Sequence, residues 1–145
     1  MKLDFEWCNG GYCQPRLYDF LCSIDNIIIP KLSARVNIKD YSKKLSINAE
    51  NLFVINDDTD VASCSIYTNT RSAYISSIAV KREYHLNGVG SVMLEEVCSH
   101  VRHRCDLIYL EVNVDNSNAI KFYKKNGFVS VGYDKNWISM AKHEI

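Results

Sequence analysis

The sequence predicts one mixed α/β domain spanning residues 1–145, and three observations carry that expectation. Short apolar runs separated by polar turns follow one another between residues 52 and 80, as antiparallel hairpins do. A strand–helix–strand unit then runs from Ile78 to Val112, which reads as a right-handed crossover between parallel neighbours. Segments with three- and four-residue apolar spacing lie before and within these runs and supply helical faces to cover a sheet.

The elements follow in order. Residues 1–7 read as a short strand, and Cys8-Asn9-Gly10-Gly11 as a loop. Pro15 suits the first turn of a helix reaching Asp25, with Leu17, Phe20, Leu21 and Ile24 on one face. Pro30 interrupts the chain. Asn37, three residues before Asp40, reads as the cap of a second helix carrying Ile38, Tyr41, Leu45 and Ile47 towards Glu50. Leu52–Ile55 and Val61–Tyr67 form strands around the polar turn 56–60. Ser72–Val80 follows, and its adjacent serines Ser76 and Ser77 break the alternation in a way a β-bulge would explain. The helix from Gly88 places Val89, Val92, Met93, Val97 and Val101 on one stripe. Leu107–Val112 is the next strand, and a last helix spans 117–126. Gly127 is placed for a left-handed C-cap with Phe128 as its hydrophobic contact. Segments 128–133 and 137–142 close the chain as a hairpin.

Composition narrows the function. Apolar residues make up 47% and charged residues 23% of the 145, an ordinary globular balance. Lys plus Arg equals Asp plus Glu at 17 each, which argues against a strongly basic nucleic-acid footprint. The longest aliphatic run, Ile27-Ile28-Ile29, is far short of a membrane span, and the first residues lack an apolar signal core. No nucleic acid, no membrane and a cytoplasmic location are therefore expected. Among the six cysteines no Cys-x-x-Cys pair occurs, so reduced thiols serving mostly as small core residues are expected, with no metal. Cys8 and Cys13, beside glycines, fit that expectation least well.

Two stretches carry chemistry. In His85-Leu86-Asn87-Gly88-Val89-Gly90 a turn opens a helix, which leaves aligned backbone N–H groups and a helix dipole that attract a pyrophosphate. Gly88 and Gly90 keep Cβ atoms out of the approach. No Gly-Lys-Ser/Thr follows, so this is not a P-loop, and Met93 replaces the third glycine of a dinucleotide fingerprint. The second stretch runs from Leu110-Glu111-Val112 through Asn116 to Phe122-Tyr123 and Gly127-Phe128.

The segment from Ile78-Ala79-Val80 to Gly88-Val89-Gly90 resembles the central motif of the GNAT superfamily, the CoA-dependent N-acetyltransferases. The run Asn116-x-x-Ala119-x-x-Phe122-Tyr123-x-x-x-Gly127-Phe128 is similar to that superfamily's other signature. The resemblance covers roughly residues 50–133. It implies a mostly antiparallel central sheet with one splayed parallel pair, helices on both faces and CoA in the cleft. Residues 51–145 would form the CoA-binding core and 1–50 a helical acceptor-side region. The cofactor-binding set it implies is Ile78, Ala79, Val80, His85, Leu86, Asn87, Gly88, Val89, Gly90, Ser91 and Asn116. His85 stands where Arg or Gln is usual and has no permanent charge, which implies weaker affinity with the backbone amides still in place. Arg82, Lys124 and Lys125 are candidates for the outer phosphate, each read more simply as a solvated charge.

Acyl transfer from a thioester requires deprotonation of the amine, stabilisation of the carbonyl oxygen and a partner for the departing thiolate. The spacing of Glu111, Asn116 and Tyr123 is similar to that in the bacterial ribosomal-protein alanine N-acetyltransferases. It implies Glu111 as base, Asn116 as a cofactor contact, which can also cap its helix, and Tyr123 as acid. A phenol pKa of about 10 makes Tyr123 first a hydrogen-bond donor to sulfur and second a proton source. The Ile78 N–H is the expected oxyanion donor. Acceptor-site candidates are Tyr67, Tyr74, Tyr133 and Trp137, with Asp25 as a cation partner. The expected partners are acetyl-CoA and an amine: a small-molecule amine such as an amino sugar or polyamine, or a protein N-terminus. The chain is expected as a monomer or homodimer, and a non-catalytic acyl-CoA-binding module is the alternative.

Overall fold

The computed structural model describes residues 1–145. In chain order the elements are β1 (Asp4–Cys8), α1 (Gln14–Ile24), α2 (Ile38–Asn48), β2 (Glu50–Asn56), β3 (Thr59–Tyr67), β4 (Ser72–Val80), α3 (Val89–Val101), β5 (Leu107–Asn113), α4 (Ser117–Lys125), β6 (Val129–Asp134) and β7 (Trp137–Lys142). The strands form one seven-stranded sheet in the order β1-β2-β3-β4-β5-β7-β6. Every neighbouring pair is antiparallel except β4 and β5, which are parallel. This is the expected mixed sheet. No helix is long and apolar enough to cross a membrane.

Side-chain alternation along the strands splits the core into two layers. Leu52 and Val54 of β2 join Val89, Met93 and Val97 of α3 and Tyr123 of α4 on one side. Phe53, between them in sequence, packs with Leu17 and Leu21 of α1 and Leu45 of α2 on the other. The helices thus lie on both faces, α1 and α2 opposite α3 and α4. Local chemistry fixes their ends. Pro15 sits in the first turn of α1, and the Asn37 side chain accepts the Asp40 N–H at the start of α2. Gly127, at φ +92°, lets the Phe128 N–H bond back to the Tyr123 carbonyl at 3.0 Å and stops α4.

Several expectations need correction. Cys8 and Cys13 form a disulfide, because Gly10 at φ +108° and a 3-10 turn over Gly11–Cys13 fold the chain back on itself. Cys22 is an exposed thiol, not a core residue; Cys64, Cys98 and Cys105 are free and buried as expected. Ile47 is 57% exposed. The buried face of α2 instead holds Ser42 and Ser46, whose hydroxyls bond to the Lys39 and Ser42 carbonyls one turn back and so satisfy themselves inside the helix. Val92 of α3 is also exposed, and Leu94 and Cys98 take its place on the stripe.

Candidate active site

The parallel pair is short. Its ladder has the rungs Ser72–Leu107, Ala73–Ile108 and Tyr74–Tyr109 and then ends. Beyond it β5 continues with β7 alone and β4 with β3 alone, so a gap opens between β4 and β5. The cause lies in β4. Opposite β3, Ser65 pairs with Ser77 and Ile66 with Ile75, leaving Ser76 as an extra residue. The expected bulge therefore falls on Ser76, at the point where the two strands part. From α2 the Tyr41 hydroxyl donates to the Ser76 carbonyl at 3.0 Å and shares a 2.6 Å hydrogen bond with its hydroxyl. The Tyr41 phenol is raised above its usual pKa by burial, and it keeps its proton for those bonds.

The bulge also decides which amides face the gap. The Lys81 N–H bonds to the Val61 carbonyl across the β3–β4 ladder. Antiparallel alternation then turns Ala79 and Ser77 towards β3, and Ile78 and Val80 towards the gap. Ile78 thus presents an N–H that β5 does not pair.

At the far end of β4 the chain enters the glycine turn. Leu86 (φ +66°) and Gly88 (φ +79°) hold left-handed conformations, and α3 begins at Val89. The first bond of that helix runs from the Val92 N–H to the Gly88 carbonyl. The N–H groups of Leu86, Asn87, Gly88, Val89, Gly90 and Ser91 have no acceptor within the chain. That run of donors at a helix N-terminus is suited to an anion. His85 does not extend this row. Its Nε2 lies 2.7 Å from the Val80 carbonyl, and since a carbonyl only accepts, Nε2 carries the proton and the ring folds back onto the strand end. The glycines differ in purpose. A Cβ on Gly88 would meet open space, whereas one on Gly90 would lie 2.8 Å from Phe122 Cζ. Gly90 is therefore required by the contact with α4. Arg82, Lys124 and Lys125 are exposed and form no ion pair.

Helix α4 lies behind the gap. The Asn116 Oδ1 accepts the Ala119 N–H at 3.3 Å, which caps the helix and leaves the Asn116 amide N–H groups free. Tyr123 is buried, its ring 5.6 Å from Phe128 and 5.5 Å from Phe122. Its hydroxyl makes no hydrogen bond within the chain. Burial, with a further push from the nearby Cys64 thiol, raises the phenol well above its usual pKa. Cys64 pairs with Ile78, so the phenol lies near the level of the Ile78 amide.

Glu111 approaches from the opposite side of the sheet. Leu110 and Val112 are buried on the α3–α4 side, so Tyr109, Glu111 and Asn113 face the other way. Glu111 is exposed and accepts a 3.2 Å hydrogen bond from the Tyr74 hydroxyl. Burial first, and the Glu111 carboxylate second, push the Tyr74 phenol up, so it remains a donor. Tyr74 in turn packs between Tyr109 at 4.8 Å and Tyr67 at 6.5 Å. The Tyr67 hydroxyl is buried without a partner. Glu111 and Tyr123 thus flank one gap from opposite faces. Of the acceptor candidates, Tyr133 is exposed on the edge strand β6. Asp25 is occupied by the Ser33 N–H at 2.8 Å and the Ser33 hydroxyl at 2.6 Å. Trp137 lies under Arg35, whose guanidinium carbon is 4.9 Å from the ring centre. Sequence reasoning missed Tyr41 and Arg35. Tyr41 occupied a helical core position, and Arg35 follows Pro30 in an irregular connection that no periodicity covers.

Residues 18–128 match the family model for the acetyltransferase (GNAT) family. Among curated proteins, N-alpha-acetyltransferase 60 of Xenopus tropicalis is 38% identical over 76 residues, covering 50% of this chain and 31% of that one. Human N-alpha-acetyltransferase 30 is 35% identical over 60 residues, covering 41% of this chain and 17% of its own length. The matches thus take in less than a third of either relative. Among solved structures, a PaiA N-acetyltransferase from Thermoplasma acidophilum in complex with coenzyme A superposes with a TM-score of 0.81 at 16% identity, covering 99% of this chain and 100% of that chain. The ribosomal-protein-S18-alanine N-acetyltransferase from Escherichia coli gives a TM-score of 0.76 at 18% identity, covering 97% and 93%. At these identities both share the fold.

Proposed function

The chain belongs to the acetyltransferase (GNAT) family, and on that premise we propose that it transfers an acetyl group from acetyl-CoA to a primary amine by direct attack. The interrupted β4–β5 ladder is the observation that carries this reading. A thioester laid in the gap as an added strand would pair with the amides that β5 leaves free. Its pyrophosphate would reach the unpaired N–H groups of residues 86–91, and the Asn116 amide would donate to it beside the helix cap. The structure of the same fold from Thermoplasma acidophilum was solved in complex with coenzyme A, which supports a donor of that kind. In this division of labour residues 51–145 hold the donor and residues 1–50 shape the acceptor side.

Glu111 takes a proton from the acceptor ammonium, directly or through a water. The freed lone pair attacks the thioester carbonyl carbon. The Ile78 N–H stabilises the oxygen as charge builds on it. As the C–S bond breaks, the electron pair stays on sulfur and Tyr123 donates a hydrogen bond to it. The second proton of the attacking nitrogen passes through solvent to the thiolate, leaving a neutral amide and a thiol, while Glu111 returns its proton to solvent. The raised phenol supports that order of duties, since a group that holds its proton strongly is a better donor than acid. Glu111 and Tyr123 lying on opposite faces supports direct attack, with the amine entering from one side and sulfur leaving towards the other.

The acceptor is a small-molecule amine or the α-amino group of a protein. The names of the Xenopus tropicalis and human relatives favour the latter. The test is a panel of amines and short peptides assayed for release of free CoA. Acetylated product with at least one acceptor is expected. Binding of acetyl-CoA without turnover on any amine would leave only a binding module.

A further inference from the structure

Arg35 is an exposed cation that takes no part in the ion pairs of the chain. It is nonetheless held in place. Asp25, at the end of α1, accepts the Ser33 N–H and hydroxyl and so closes the connection that leads to it. The Arg35 N–H bonds to the Leu32 carbonyl at 3.0 Å. Its guanidinium rests over Trp137, and its charge reaches the Tyr41 phenol that pins the Ser76 bulge.

These contacts locate it. Trp137 pairs with Asn113, two residues beyond Glu111 on the same face of β5. Two residues of strand are about 7 Å. Trp137 is on β7, one strand beyond β5 from the gap, so Arg35 stands on the Glu111 face of the sheet, with Tyr41 near it on the gap side. Stacking engages the face of a guanidinium and leaves its N–H edges free for a carboxylate. Asp134, opposite Trp137 on β6, is exposed and forms no ion pair with Arg35.

We propose that Arg35 sets acceptor specificity by binding a carboxylate carried on the same acceptor whose amine Glu111 deprotonates. This rests on the acetyl-transfer reading of the same site. A free α-amino acid is too short for both contacts, and a polyamine has the wrong charge. A peptide whose second residue is acidic carries the right charge at a distance from its α-amine.

The test uses the full chain, saturating acetyl-CoA and three tripeptides that differ only in a second residue of Glu, Gln or Lys. The Glu peptide is expected to exceed the Gln peptide in kcat/KM by roughly tenfold or more, with the Lys peptide lowest. Arg35→Ala removes the difference through the acceptor KM and leaves the KM for acetyl-CoA unchanged. Arg35→Lys keeps part of the preference, and Arg35→Glu reverses it. Equal use of the three peptides by the wild type, or a preference that survives Arg35→Ala, overturns the proposal. So does transfer to small amines alone with no gain from a carboxylate. Transfer to no amine of any kind overturns the acetyl-transfer reading itself.

Discussion

Single side chains at the gap make separable contributions. Tyr123→Phe removes one oxygen from a hydroxyl that has no partner in the chain, so the fold should tolerate it. Turnover is expected to fall by about a hundredfold or more while acetyl-CoA binding persists, measured by steady-state kinetics and calorimetric titration. Glu111→Gln keeps the shape and the Tyr74 contact but cannot take a proton. The rise of rate with pH should disappear, and an unchanged profile would place the base elsewhere. Gly90 also has a packing duty. Gly90→Ala sets a Cβ 2.8 Å from Phe122 and should cost about 1–3 kcal/mol, read as a lowered Tm, with Phe122→Leu in the same chain restoring part of it. The sequence supported a different reason for this glycine, because the approach of Phe122 from another helix leaves no local trace. The Cys8–Cys13 disulfide was hidden in a similar way. Spacing alone does not report that Gly10 reverses the chain.

At the level of elements the sequence was most legible where a local rule determines the outcome. The α1 stripe, the Asn37 cap, the Gly127 stop and the break at Ser76-Ser77 were all visible, since periodicity, capping and bulges depend on near neighbours. Ile47 was misplaced because two serines satisfied their own hydroxyls and took the buried face. The Tyr41–Ser76 contact could not be seen, as it joins residues 35 apart. Asn116 serves α4 through one atom and is free at another, and this can be tested. Asn116→Ala should destabilise the protein by about 1 kcal/mol through the lost cap. Asn116→Ser restores a capping oxygen without the amide donor. Recovery of Tm without recovery of acetyl-CoA affinity would separate the two duties, and recovery of both would leave Asn116 as a cap only.

Across the whole molecule the sheet is braced at one end by a network that no short motif announces. Glu50 at the start of β2 accepts bonds from Arg104 at 3.1 and 3.2 Å, from Thr68, and from His100 at 2.9 Å. His100 stacks on Trp7 of β1 at 3.7 Å. Burial alone would raise the Glu50 carboxyl, but the bonds from Arg104, Thr68 and His100 outweigh it and hold the group below its ordinary 4.5. A depressed carboxyl stabilises the fold above its unfolded pKa, and that contribution is lost as pH falls through the folded value. Urea unfolding of the wild type should therefore show stability falling as pH drops below about 4.5, and Glu50→Gln should flatten that fall. At the other end Arg16 of α1 ties Asp60 of β3 to Glu6 of β1. Within the sheet, β1–β4 and β5–β7 are joined by three rungs only. A donor molecule seated between them would act as an eighth strand completing a hydrogen-bonded span, so folding and ligand binding become one linked equilibrium. At a ligand concentration a hundred times its Kd, the folded state gains about 2.7 kcal/mol. The protein's rigidity would then follow the supply of its own substrate.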